Sequence, residues 1–123
     1  MKTAPVITPY AELHCISNFS FLTGASHPEE LVEQAKKLGY HSIAITDECS
    51  VAGVVRAHVA ARAADIKLLI GSEFKLEEGT RFILIAKNRD GYGYMCNLIS
   101  TARRRASKGE YYLSQKHFKD IEI

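Results

Sequence analysis

Short apolar segments alternate with helix-sized segments along this chain. Residues 10–15, 41–46 and 67–70 have the length and apolar content of strands, and the second of them alternates before it runs apolar as Ile43-Ala44-Ile45. Such apolar runs are typical of strands buried on both faces, as in parallel sheets covered by helices. The order strand, helix, strand, helix, strand therefore predicts an α/β fold built from alternating β-α-β units with a parallel sheet.

The first segment between strands carries clear helix signals. Ser26 precedes Glu29 by three residues, which is the spacing of a capping box, and Gly39 supplies a terminating glycine. Apolar residues at helical spacing predict a buried stripe at Leu31, Ala35 and Leu38.

The later part of the chain predicts two more helices and a fourth strand. Ser50 is placed to cap a helix over residues 51–64, which carries Val54, Val55 and Val59. The apolar run at 81–86, reached through a turn at 77–79, predicts a strand of the same buried type. A last helix is predicted from a cap at 88–90 to residue 106, with an apolar face at Tyr94, Leu98 and Ala102.

The layout leaves two architectures open. Residues 1–9 hold two prolines and predict a loose lead-in, which leaves residues 10–123 as the folded segment. Four strands and three helices without a clear closing element form either a compact three-layer domain or the first part of a larger barrel.

Composition narrows the class of protein. With 46% hydrophobic and 24% charged residues, the 123-residue chain has the make-up of one ordinary globular domain. A net charge of +2 does not by itself indicate nucleic-acid or membrane binding, and no apolar run approaches the roughly 20 residues that span a bilayer. Three cysteines without a CxxC spacing fit a reducing cytoplasm, and the N-terminus has no apolar core of an export signal.

Polar residues follow the first three predicted strands and are candidates for one site. They are His14, the pair Asp47 and Glu48, and Glu73. The carboxyl ends of parallel strands meet at one rim, and imidazole and carboxylate groups suit zinc, manganese or iron. Asp47 is predicted either to ligate or to hold a ligand histidine from behind. The alternative is that each residue is only a polar strand-end or helix-cap group, and spacing alone leaves both open.

A basic run lies at the end of the last predicted helix. It consists of Arg103, Arg104, Arg105 and Lys108. Positive charge there complements the helix dipole, and this is the favoured interpretation. The alternative is a nucleic-acid-binding patch that contacts phosphates.

At the candidate site the chain resembles a known superfamily. The stretch HCISNFSFLTG, residues 14–24, is similar to the first motif of the PHP (polymerase and histidinol phosphatase) superfamily, which reads His-x-His-Ser/Thr-x-x-Ser-x-x-Asp-Gly. Thr46-Asp47-Glu48 resembles the second motif, Thr-Asp-His, and Gly71-Ser72-Glu73 resembles the third, Gly-x-Glu.

Within that superfamily, the chain is most similar to the N-terminus of bacterial DNA polymerase III α-type chains of the error-prone branch. The likeness covers roughly residues 10–120 and includes GASHPEEL at 24–31 and ARRRA at 102–106. The resemblance implies the first, truncated part of a distorted seven-stranded β/α (PHP) barrel. It implies a cytoplasmic parent enzyme that extends DNA from deoxynucleoside triphosphates across damaged template, with magnesium bound outside these residues. The implied partners are the remainder of the polymerase chain, DNA and deoxynucleoside triphosphates, without a membrane.

Four motif positions depart from the family pattern. Ile16, Thr23 and Glu48 stand where the family has histidine, aspartate and histidine, and Arg81 stands where a further histidine opens the fourth strand. An isoleucine cannot ligate a metal, and an arginine repels one.

The departures decide what the resemblance implies about function. His14 and Glu73 are retained, and Glu48 is a substitute ligand, so the metal site is expected to be vestigial or weak. The expected role is then structural, in a segment that is inactive alone. The alternative is a stand-alone metal-dependent phosphoesterase of the histidinol-phosphatase type.

Overall fold

The computed structural model describes residues 9–118, which form a four-stranded sheet flanked by helices. The elements are β1 (Ala11–Cys15), α1 (Pro28–Lys37), β2 (Ser42–Ile45), α2 (Val54–Ala64), β3 (Lys67–Lys75), β4 (Arg81–Ile85), α3 (Arg89–Arg104) and a 3-10 helix (Gln115–Phe118). The predicted α/β fold with alternating β-α-β units is confirmed. Residues 1–8 of the predicted lead-in and residues 119–123 lie outside the described residues.

The strands are hydrogen-bonded in the order β1-β2-β3-β4. β1, β2 and β3 are parallel, as predicted, and α1 and α2 connect them. β4 pairs with β3 in antiparallel register, from Gly71 opposite Ile85 to Lys75 opposite Arg81, so the prediction of a parallel sheet is wrong for this strand. The connection at 76–80 is too short for a parallel return, which needs a crossover of about a dozen residues.

β3 is longer than predicted. Gly71, Ser72 and Glu73 were expected to follow the strand, but they lie inside it and pair with β4. A Cβ at Gly71 would lie 2.6 Å from the backbone oxygen of Leu84, so glycine permits the close approach of the hairpin. β4 is not doubly buried as predicted, because both its end residues are exposed.

α1 begins one residue later than predicted. The backbone N–H of His27 donates to Glu30 Oε1 at 3.2 Å, and these two residues, not Ser26 and Glu29, form the capping box. Pro28 takes the first helical position, where its missing N–H leaves no hydrogen bond unmade.

The predicted apolar stripes of α1 and α2 are shifted. Leu38 is 57% exposed, whereas Val32 is fully buried. α2 begins at Val54 and not at residue 51, and Val55 and Val59 are 72% and 62% exposed. The buried faces are formed by Val32 and Ala35 in α1 and by Val54, Ala57 and Ala61 in α2.

Two apolar clusters form the core. One packs α1 and α2 against β2, with buried residues Val32, Ala35, Ile43, Ile45, Ala57, Ala61 and Ile66. The other packs α3 and the segment after it against β3, with buried residues Cys49, Phe74, Leu76, Met95, Leu98, Ala102 and Leu113. The predicted site residues Asp47, Glu48 and Glu73 lie in the sequence close to Ile45 of the first cluster and beside Cys49 and Phe74 of the second.

Candidate functional site

The predicted site residues of three strands lie together. His14 is in β1 and Glu73 is in β3, and His14 Nε2 lies 3.5 Å from Glu73 Oε2. Glu48 follows β2 and forms an isolated parallel bridge with Glu73. The Glu73 side chain is 11% exposed and that of His14 is 49% exposed, so the pair lies at a rim open to solvent. The structure therefore brings all three together, while their predicted role as metal ligands remains a prediction.

Arg81 of β4 places a positive charge among these carboxylates. Its Nη1 lies 3.8 Å from Glu48 Oε1 and 3.9 Å from Glu73 Oε1. The antiparallel register of the hairpin carries it there, because Arg81 pairs with Lys75, two residues after Glu73. Arg81, Glu48, Glu73 and His14 are called the charged cluster below.

Tyr111 extends the charged cluster and was not predicted as a site residue. Its hydroxyl donates to Glu48 Oε1 at 2.7 Å and accepts the backbone N–H of Lys75 at 2.9 Å. Burial, together with the hydrogen bond to the Glu48 carboxylate, raises the pKa of the Tyr111 phenol. The sequence signal that could have found it is that Tyr111 lies within the stretch, roughly residues 10–120, that resembles the family.

Arg103 donates hydrogen bonds to the backbone beside the charged cluster. Its guanidinium donates to the carbonyl oxygens of Cys49 (3.1 Å), Glu48 (3.3 Å) and Glu110 (3.2 Å). It also lies over the Tyr111 ring, 5.3 Å from the centroid. Arg103 therefore joins the end of β2 to the segment after α3.

Cys49 occupies an unusual backbone conformation at this joint. It is 1% exposed and has a φ of 45°, in the left-handed region. Burial raises the pKa of its thiol to about 11, although the Arg103 guanidinium opposes that shift. The thiol is thus a buried apolar group and not a reactive nucleophile.

Asp47 is buried behind the rim. Its Oδ1 accepts the Ser17 N–H at 2.7 Å and the Ser20 hydroxyl at 2.9 Å, and its Oδ2 accepts the Ser17 hydroxyl at 2.7 Å. These bonds fix the loop at 17–24. Among its described contacts none is with His14, and the predicted role behind a metal-bound histidine remains a prediction.

The family is decided by comparison with protein-family models. Residues 12–122 match the PHP domain. The chain belongs to the PHP domain family. This confirms the resemblance found in the motifs around His14, Glu48 and Glu73.

Curated relatives of this PHP chain are named as polymerases. It is 59% identical over 108 residues to the error-prone DNA polymerase of Vibrio vulnificus, with 86% of this chain and 10% of that protein covered. It is 54% identical over 124 residues to the error-prone DNA polymerase of Xanthomonas axonopodis pv. citri, with 98% and 11% covered. The chain therefore spans about a tenth of the length of these relatives.

Two solved structures share the fold of the PHP chain. One is a candidate metal-dependent phosphoesterase from Bifidobacterium adolescentis, with a TM-score of 0.56, 30% identity, and coverage of 82% of this chain and 36% of that one. The other is an amidohydrolase from Chromobacterium violaceum, with a TM-score of 0.65, 22% identity, and coverage of 76% and 33%. The second supports the fold alone.

The residues present do not fit a divalent metal. Among residues 9–118, no group of three or more histidine, cysteine, aspartate or glutamate side chains is arranged to hold a metal ion. Both carboxylates that could ligate, Glu48 and Glu73, lie within 4 Å of the Arg81 guanidinium. A cation bound between them would be repelled by this positive charge. Ile16, at a family histidine position, has no donor atom.

The predicted basic run divides into two parts. Arg103 is engaged with backbone carbonyl oxygens, whereas Arg104, Arg105 and Lys108 are exposed. Arg103 and Arg104 lie in the last turn of α3, where positive charge complements the dipole. Nucleic-acid binding by the exposed residues remains a prediction. Between residues 9 and 118, no helix is both long and apolar enough to cross a membrane.

Proposed function

We propose that this chain is the PHP segment of an error-prone DNA polymerase, in which the charged cluster has replaced a metal site and the segment has a structural role. The parent polypeptide would extend DNA from deoxynucleoside triphosphates across damaged template in the cytoplasm. Its magnesium-binding carboxylates would lie outside these residues. The support is identity of 59% to a relative of that name, of which this chain covers 10%.

The proposal that this segment has lost metal binding rests on the position of Arg81. A guanidinium within 4 Å of both Glu48 and Glu73 supplies the positive charge that these carboxylates would otherwise take from a metal. A divalent metal would activate water for attack on a phosphate ester, and the guanidinium does not supply that chemistry. The segment would therefore be inactive as a phosphoesterase on its own.

A metal titration tests this proposal. Isothermal titration of the chain with Zn²⁺ and Mn²⁺ should show no stoichiometric binding, and p-nitrophenyl phosphate should not be hydrolysed with either metal. Arg81→Ala, which leaves His14, Glu48 and Glu73 in place, should raise the metal affinity. Metal-dependent turnover that disappears in the double variant His14→Ala/Glu73→Ala would contradict the proposal.

The polymerase assignment needs a separate experiment. The native polypeptide should be many times longer than this segment and should extend a primer on damaged template. A reading frame that stops near Ile123 would contradict the assignment.

The second candidate function is a metal-dependent phosphoesterase. The fold neighbour from Bifidobacterium adolescentis, at 30% identity, favours it. Arg81, Ile16 and Thr23 count against it, since each removes or opposes a ligand. The same titration separates the two functions.

A further inference from the structure

Apart from the charged cluster, the described surface carries two adjacent large apolar side chains that are almost fully exposed. Phe21 is 84% exposed and Leu22 is 90% exposed. They form the apolar tip (Phe21 and Leu22) of the loop at 17–24. The crevice beside this loop has a volume of about 570 Å³ and is lined in part by Phe21, Glu48 and Tyr111.

The loop that carries the apolar tip is anchored at its base. Asp47 accepts hydrogen bonds from Ser17 and Ser20, and the Ser20 carbonyl accepts the N–H groups of Thr23 and Gly24, both at 3.0 Å. A Cβ on Gly24 would lie 2.0 Å from the Ser17 carbonyl oxygen, so the two ends of the loop touch. The exposure of the tip is therefore built into a fixed loop.

The backbone at the tip is also held in a costly conformation. Leu22 has a φ of 65°, in the left-handed region that a leucine rarely adopts. Phe21 and Leu22 both face solvent at this turn. Backbone strain of this kind is found where a local shape serves a contact or a reaction.

We propose that the apolar tip docks into an apolar pocket on the remainder of the polymerase polypeptide, an inference that rests on the proposed function. The relatives are about ten times as long as this chain, so most of such a polypeptide lies outside the structure. Contiguous exposed apolar surface marks sites of protein contact, and large side chains that fill pockets on the partner dominate the energy of such contacts.

Charge distinguishes this partner from nucleic acid. Residues 16–24 contain no lysine or arginine. Glu48 and Glu110 line the adjacent crevice, and Arg103, its basic residue, is engaged with backbone carbonyl oxygens. A phosphate backbone would meet carboxylates at this position, which disfavours binding.

Hydroxyl-radical footprinting of the full-length polymerase, without DNA, tests the proposal. Oxidation of Phe21 and Leu22 should be largely lost, whereas Leu38, which is 57% exposed on the same segment, should stay reactive. Reactive Phe21 and Leu22 would overturn the proposal. Protection that appears only when DNA is added, or only at high protein concentration, would overturn it in favour of DNA or a second copy.

A variant pair gives an independent measurement. Asparagine tolerates the left-handed region, so Phe21→Ser/Leu22→Asn removes the apolar tip without straining the loop. In the full-length polymerase it should increase cleavage by protease between this segment and the rest, whereas Leu38→Ser should not. Equal cleavage of the two variants would contradict docking.

The proposed function is checked on the same preparation. The mass of the polypeptide and its primer extension test the polymerase assignment independently of the footprint. An active polymerase with a reactive tip would contradict only the docking proposal, and a polypeptide without primer extension would contradict the assignment.

Discussion

The hydroxyl of Tyr111 donates a 2.7 Å hydrogen bond to Glu48, 63 residues away in the sequence. The same oxygen accepts the backbone N–H of Lys75. One side chain thus connects the end of β2, the end of β3 and the segment after α3. Because Glu48 also pairs with Arg81, this phenol ties the charged cluster to the second core cluster.

Removal of this hydroxyl should be costly. Tyr111→Phe is expected to lower the free energy of unfolding by about 1–3 kcal/mol, since Glu48 loses a partner at a partly buried site and the Lys75 N–H loses its acceptor. Urea unfolding of the 123-residue chain measures the change. Tyr112→Phe is the matched control, because that hydroxyl bonds Glu77 at an exposed site. Equal losses for the two variants would argue against a special role for Tyr111.

Arg103 should stabilise the fold through the arrangement of its several N–H donors and not through its charge. Arg103→Lys is expected to cost about 1–3 kcal/mol, because an ammonium group cannot span the carbonyl oxygens of Glu48, Cys49 and Glu110 together. Arg104→Lys, at an exposed neighbouring position, should change stability by less than about 0.5 kcal/mol. Thermal unfolding followed by circular dichroism measures both. A loss of stability in Arg103→Lys as small as that in Arg104→Lys would show that the hydrogen bonds of Arg103 to these carbonyl oxygens contribute little.

Local sequence patterns predicted strands and helices well where a position carried a single structural signal. The apolar run around Ala44 gave β2, and the Asn88 cap gave the start of α3. Competing signals produced the errors. Two capping boxes overlap at Ser26 and His27, and the structure uses the second, with Pro28 at the first helical position. The polar residues of β3 resembled a strand end because pairing with β4 is invisible in a single segment.

The site was predicted in part for a related reason. Parallel strands bring their ends together, so His14 and Glu73 were placed together from topology, and Glu73 lies just past Ile70, where the parallel pairing of β3 with β2 ends. The contact of Arg103 with Cys49 joins residues 54 positions apart, and that of Tyr111 with Glu48 joins residues 63 positions apart. The hydrophobic periodicity of the sequence does not predict such contacts. Arg103 was interpreted as a dipole partner because its bonds to the Cys49 and Glu48 carbonyls depend on packing of α3 against the end of β2.

The free energy of unfolding should fall at alkaline pH because folding buries the Cys49 thiol in its neutral form. The pKa of this thiol is about 11 in the folded protein, above the 9.0 of a free thiol. The neutral form is favoured by folding, so its contribution is complete below pH 9 and is lost as the pH rises toward 11. The expected loss by pH 11 is about 2 kcal/mol, measured by urea unfolding at pH 8, 9.5 and 11.

Two variants separate the contributions to this alkaline slope. Cys49→Ser should flatten it between pH 9 and pH 11, whatever it does to stability at pH 8. Tyr111→Phe should remove a part that begins above pH 10, because the raised pKa of that phenol acts in the same direction. Stability that is constant or rises from pH 8 to pH 11 would be incompatible with a buried neutral thiol.

Two glycines should respond oppositely to alanine. A Cβ at Gly24 would lie 2.0 Å from the backbone oxygen of Ser17, which cannot move without breaking the bonds of Ser17 to Asp47. Gly24→Ala should therefore cost about 2 kcal/mol or more. Gly93 lies within α3, and apart from its chain neighbours and the backbone of its own helix no atom lies within 4 Å of its Cβ position, so Gly93→Ala should stabilise the helix by about 0.5–1 kcal/mol. Chemical unfolding of both variants gives the two signs, and a neutral Gly24→Ala would mean that the loop at 17–24 is not anchored as described.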